Sequence, residues 1–162
     1  MQKRADKTVS VRPAREEDLG AALELIEEER RRNQWLEAIP DLLAGSIRGT
    51  TGDTWACIGE SEAGCVGVGL YGIVAGTVGT GVVQAVVTTD ARSDAVGLAI
   101  FGYMLDLLQR HSARLVTAEL PEDSSVDRYR LLLQASGFVQ ESRVEDYYAD
   151  GVSLLHYRFD FE

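Results

Sequence analysis

Three apolar runs joined by short links fill the middle of the chain: Thr54-Trp-Ala-Cys-Ile58, Cys65 to Val74, and Val82 to Thr89. Links this short permit only hairpin returns, because a parallel return needs a crossover of a dozen or more residues. The runs predict an antiparallel meander and argue against a wholly parallel nucleotide-binding sheet. The other segments add to it in a definite order. Thr8 to Arg12 alternates apolar and polar and reads as a strand stopping at Pro13. Leu19, Ala22, Leu23 and Ile26 recur at helical spacing between Arg15 and Arg30, with acids between them. A second helix, roughly Pro40 to Arg48, begins on a tolerated proline and ends near Gly49.

Past the meander, Leu98, Phe101, Leu105 and Leu108 mark one stripe of a helix from about Val96 to Gln109. A strand follows at Arg114 to Leu120, then a helix from Val126 to Ala135 with Gly137 placed for a left-handed cap. Two strands, Phe138 to Val144 and Ser153 to Phe161, close the chain around a tyrosine-bearing loop, Glu145 to Gly151. The order β-α-α-β-β-β-α-β-α-β-β predicts an α+β (mixed α/β) fold: a seven-stranded, mainly antiparallel sheet with about four helices. A length of 162 residues suits one domain, 8–162, behind a flexible tail at 1–7.

A formal net charge of −10 repels nucleic-acid backbones and anionic membranes, so neither is expected as a partner. Such a surface admits a cationic ligand, and it also serves solubility alone. Glu27, Glu28 and Asp146 are the acids placed to attract one. No apolar run approaches a membrane span and no secretory signal opens the chain, which points to the cytoplasm. Cys57 and Cys65 flank a turn at Glu60 to Gly64. If that turn sets Gly59 opposite Gly64, the two thiols face opposite sides of the sheet and stay reduced. No Cys/His cluster has metal-ligand spacing, so no metal is expected.

The chemistry concentrates at Arg92-Ser-Asp-Ala-Val-Gly97, between the Val82 strand and the Leu98 helix. A small-residue turn into a helix leaves the first N–H groups unpaired at the positive end of the helix dipole, a seat for phosphate or pyrophosphate. Arg92 adds a charge-assisted contact there.

This turn, in this order of elements, resembles the GNAT superfamily of acyl-CoA-dependent N-acetyltransferases over nearly the whole chain, Val9 to Phe161. Val11-Arg-Pro-Ala14, Asp18 and Leu25 look like the family's opening strand and first helix. Arg92 to Gly97 falls on its Gln/Arg-x-x-Gly-x-Gly/Ala motif, and Leu131 to Phe138 on its helix ending in Gly-Phe. Asp146-Tyr-Tyr-Ala-Asp-Gly151 resembles the loop before its last strand.

The resemblance implies acetyl-CoA as co-substrate and direct transfer to a primary amine of a small molecule or protein. It assigns backbone groups of Val86 and Val87 to the pantetheine arm and thioester. The amides of Arg92, Ser93, Asp94, Ala95, Val96, Gly97 and Leu98 would hold the pyrophosphate. Glu119 would be the base, and Tyr147 and Tyr148 would line the amine pocket.

The departures are Ala95 at the first motif glycine, Asp94 beside the anion, and Leu133 where a proton-donating tyrosine is common. Tyr129, one helical turn earlier, is the nearest substitute acid; its alternative role is core packing. Together these departures imply a second reading, a weak or inactive acyl-CoA-binding sensor or assembly module. His111 suits the end of its helix, and neither His111 nor His156 is given a chemical role. A homodimer is expected from an exposed last-strand edge with Leu154, Tyr157 and Phe159 around it.

Overall fold

The structure is a computed structural model that describes residues 9–89 and 94–162. Seven strands form one sheet in the order β1-β2-β3-β4-β5-β7-β6. Strand β1 (Ser10–Pro13) lies at one edge, where Pro13 interrupts no second ladder. Helices α1 (Leu19–Arg30) and α2 (Ile39–Arg48) follow, and Gly49 closes α2 at φ +73°. The meander then runs through β2 (Thr54–Ser61), β3 (Gly64–Ile73) and β4 (Thr80–Thr88). Helix α3 (Asp94–Arg110) leads to β5 (Leu115–Pro121) and α4 (Asp127–Ala135), before β6 (Val139–Ala149) and β7 (Val152–Asp160). The predicted class and element order stand.

Two apolar cores sandwich the sheet. Phe101, Met104 and Leu108 of α3 join Leu133 of α4 and Tyr157 of β7 on one face. Ile26 and Leu43 of α1 and α2 meet Ile58, Leu70 and Val87 on the other. Helix α3 lies close because β2 and β3 present glycines beneath it. A Cβ on Gly67 would come within 2.5 Å of Ile100 Cδ1, and one on Gly69 within 2.7 Å of Ile100 Cγ2. After α4, the Phe138 N–H reaches the Leu133 carbonyl at 3.0 Å and the Gly137 N–H reaches Gln134 at 3.1 Å. That is the left-handed closure the glycine predicts, at φ +98°.

Three expectations need correction. The β2–β3 turn is tighter than the sequence suggests: Ser61 pairs with Gly64, and Gly59 with Gly67. A bulge between Gly59 and Glu60 restores the expected outcome. Cys57 sits in the α3-side core and Cys65 against the other, and both are free. Burial pushes the Cys57 thiol up to about 12. Secondly, most of the segment read as a loop at 145–151 belongs to β6, with Asp146 at φ +51° where the register with β7 shifts. Thirdly, β7 is an interior strand with Leu154 and Tyr157 buried, so the exposed edge is β6. The expected tail at 1–7 lies outside the described residues, and among the described residues no helix is long and apolar enough to cross a membrane.

Arg12 ties the first elements together. Its guanidinium donates to both Asp18 oxygens at 2.7 Å, and its Nε to Glu60 Oε1 at 3.0 Å. Asp18 also accepts the Arg15 N–H at 2.7 Å. These bonds, Arg12 first, hold the Asp18 carboxyl below the usual carboxylate range against the opposing effect of burial. A depressed folded-state pKa contributes stability above the unfolded value and loses it as pH falls through the folded one. Asp18→Asn should cost about 1 kcal/mol at neutral pH. Thermal melts should show that deficit closing as pH drops below about 4. A deficit unchanged at acid pH would show that the loss is not ionic.

Candidate active site

Strands β4 and β5 pair in parallel over only Thr80–Val82 against Leu115–Thr117. Beyond that they diverge. A register shift opposite Leu70 and Tyr71 inserts an extra residue into β4 at Val83–Ala85, next to the point of divergence. Bulges bend the strand that carries them and re-aim its groups. The gap is a cleft of about 1080 Å³. It passes through the sheet, from Tyr129 and Leu132 of α4 on one side to Glu29 and Trp35 beside α1 on the other.

The wall on β4 is partly backbone. The Thr89 N–H bonds the Val66 carbonyl at 3.1 Å, which with the register makes Val87 and Val68 a hydrogen-bonded pair. Val86 and Thr88 alternate with it, so their N–H and C=O groups turn away from β3 toward the cleft. Both Val86 and Val87 line the cleft, but the ladder leaves Val86 the better placed to offer backbone groups.

On the α4 side, the Tyr129 hydroxyl is buried and has no hydrogen-bond partner among the described residues. Its ring packs near Phe101 at 6.1 Å, and burial pushes its pKa well above the ordinary phenol value. A buried polar group left unsatisfied costs about 1–3 kcal/mol. Such groups persist where a ligand completes them. Arg128, on the same helix, lines the cleft and lies 3.5 Å through Nε from Asp94 Oδ1.

The far arm is acidic and aromatic. Glu119 of β5 faces it from a position paired with His156 of β7. Tyr148 of β6 meets Trp35 at 5.3 Å between ring centroids. Burial, with Glu119 and Tyr147 adding to it, raises the Tyr148 pKa. Gln84, within the bulge, has its Oε1 buried without a partner among the described residues.

The residues singled out in the sequence separate accordingly. Glu119, Tyr129, Tyr148, Val86 and Val87 come together on the cleft. Tyr147 does not; it is 60% exposed and stands edge-on to Tyr148 at 5.1 Å. Arg92 and Ser93 lie outside the described residues. Asp94 and Ala95 are exposed in the first turn of α3, where N–H groups lack helical partners. Leu98 is also exposed, Val96 is buried, and Gly97 packs against α4, where a Cβ would meet Leu132 at 2.8 Å. Leu133 is wholly buried in the core.

Among the acids, Glu27 pairs with Arg30, Glu28 with Arg32, and Asp146 caps the Gly151 N–H; it is Glu29 that reaches the cleft. His111 stacks on Trp55 at 4.5 Å. Sequence reading missed Glu29, Trp35, Gln84, Arg128 and His156 as cleft residues. The bulge that re-aims Gln84 and the link that carries Trp35 leave no periodic signal.

No protein-family model and no curated protein sequence matches the chain. Solved structures do match in shape. A proposed acetyltransferase of the GNAT family from Desulfovibrio desulfuricans superposes with a TM-score of 0.80 at 18% identity, over 94% of this chain and 99% of that one. A proposed acetyltransferase from Salmonella typhimurium, solved with its cofactor acetyl-CoA, gives 0.68 at 15% identity, over 95% and 94%. The aminoglycoside 6'-N-acetyltransferase from Enterococcus faecium gives 0.71 at 10% identity, over 93% and 96%.

Proposed function

We propose that this chain, which has the GNAT fold, moves an acetyl group from acetyl-CoA directly onto the neutral primary amine of a small molecule or protein. The observation that carries this reading is the cleft itself, with a proton-holding phenol on one side and a carboxylate on the other. Acetyl-CoA supplies an acyl group already activated as a thioester. Its fit rests on orphaned groups: the unpartnered Tyr129 hydroxyl, and backbone of Val86 turned away from β3. The pyrophosphate falls to the first-turn amides of α3 within the segment 92–98, with Arg128 beside them as a cation.

Positioning does most of the work in such a site. Backbone at Val86 orients and polarises the acyl carbonyl. The amine nitrogen forms its bond to the carbonyl carbon as the carbon–sulfur bond breaks. Glu119 takes the displaced N–H proton through water, and the Tyr129 hydroxyl gives its proton to the leaving sulfur. Solvent then returns Tyr129 to its protonated form. Products are the N-acetylated amine and the free thiol.

Titration calorimetry with acetyl-CoA, coupled to thiol release across a panel of amines, tests this. Saturable one-to-one binding and amine-dependent thiol release are expected. Absence of binding at millimolar ligand would remove the proposal. Binding without turnover would favour the sensor or assembly module, a reading supported by Asp94, whose charge already occupies the first turn of α3.

A further inference from the structure

Among the described residues, the arm of the cleft beneath α1 is lined by several acceptor oxygens and by no lysine or arginine. Glu29 of α1, Glu119 of β5 and Asp53, just before β2, all line it. None of these three carboxylates makes an ion pair or side-chain hydrogen bond with another described residue. Gln84 Oε1 adds a further acceptor, buried and unpartnered. The nearby imidazole of His156 is engaged with Glu141 at 3.2 Å, and Arg128 lies on the opposite side, against Asp94. Trp35 and Tyr148 meet at an interplanar angle of 59°, so their faces form a corner rather than a flat stack. Glu29 is half-buried, while Asp53 and Glu119 open to solvent at the mouth of the arm. Aromatic faces attract cations, and carboxylates beside them add charge-assisted contacts.

The reacting nitrogen by itself does not account for this much negative character. It must be neutral when it attacks, and one acceptor at Glu119 is enough for its proton. The remaining groups are matched by a charge that stays. We infer that the acceptor carries a second, permanently protonated nitrogen, as a short aliphatic diamine or polyamine does, seated between Glu29 and the Trp35–Tyr148 corner. The inference rests on the acyl-transfer reading for its chemistry, and the experiment below separates the two.

Three four-carbon amines decide it: butane-1,4-diamine, butan-1-amine and 4-aminobutanoate, which end in a distal cation, a methyl group or a carboxylate. With acetyl-CoA saturating, kcat/KM for the diamine should exceed that for butan-1-amine by about tenfold or more, with 4-aminobutanoate poorest. Calorimetry of the chain with the same three compounds should give the same ranking of Kd without turnover. Glu29→Gln, which keeps size and helix propensity, should cut the diamine preference about fivefold through KM. Trp35→Leu should cut it as well, by removing one face of the corner.

Equal or better use of butan-1-amine would overturn the inference while leaving acyl transfer intact. Selective diamine binding in a chain that never releases thiol would support the cation seat and overturn the transfer reading instead. A diamine preference untouched by both variants would show that the seat has been misplaced, and would overturn the inference as stated.

Discussion

Tyr129→Phe should lower the rate of thiol release by about 100-fold or more while leaving the fold as stable as before, or slightly more so. The two halves of this expectation come from one observation. The hydroxyl is buried and unpartnered, so removing it relieves an unsatisfied group and keeps the ring against Phe101. A positioned acid commonly contributes 10²–10⁴-fold, roughly, to a proton-dependent step. Burial raises the phenol pKa, so the proton stays in place across the neutral range and no alkaline limb from this group should appear below about pH 10. Thiol-release kinetics, thermal melts and calorimetry with acetyl-CoA read the three quantities separately, and cofactor affinity should fall only several-fold, by about the one hydrogen bond the hydroxyl would complete. Unchanged kcat with unchanged stability would strip Tyr129 of its role as acid and leave it a packing residue.

The second large effect concerns the bed on which α3 rests. A Cβ on Gly69 would lie 2.7 Å from Ile100 Cγ2 and 2.8 Å from both Cys57 Sγ and Met104 Sδ. Three contacts at once, two of them with wholly buried helix residues, cannot be relieved by turning one side chain. Gly69→Val should cost about 3 kcal/mol, the upper end for overpacking, and lower Tm by roughly 10 °C in a domain of this size. Gly102 supplies the contrast, because a Cβ there meets nothing within 4 Å. Gly102→Ala should gain about 0.5–1 kcal/mol from helix propensity. A Gly69→Val protein melting with the parent would mean that α3 does not lie this close to the sheet.

Much of the architecture could be read from the chain because its signals are local. The short links from Thr54 to Thr89 admit only a meander, and Gly49 and Gly137 take the left-handed conformations their positions call for. Boundaries failed where long-range pairing overrode local chemistry. Residues Glu145 to Ala149 look like loop, yet they extend β6 because β7 pairs with its ends. The reverse holds at Gly97, which reads as room for a phosphate and in fact makes room for Leu132.

The site divides in the same way. Glu119 and Tyr129 can be nominated because each sits at a definable point of a strand or helix. That they face one cleft depends on β4 and β5 parting after Val82 and Thr117. Glu29 rather than Glu27 or Glu28 reaches that cleft because of the rotational phase of α1, set by packing of Ala22, Leu25 and Ile26. Trp35 and Tyr148 meet across more than a hundred positions of sequence.

The sequence alone determined the number, kind and order of the helices and strands, though not every boundary, since periodicity and capping act over a few residues at a time. Tertiary structure decided which walls face one another. That depends on a bulge, a divergence of two strands and the phase of a helix, each of them set by contacts between residues far apart along the chain.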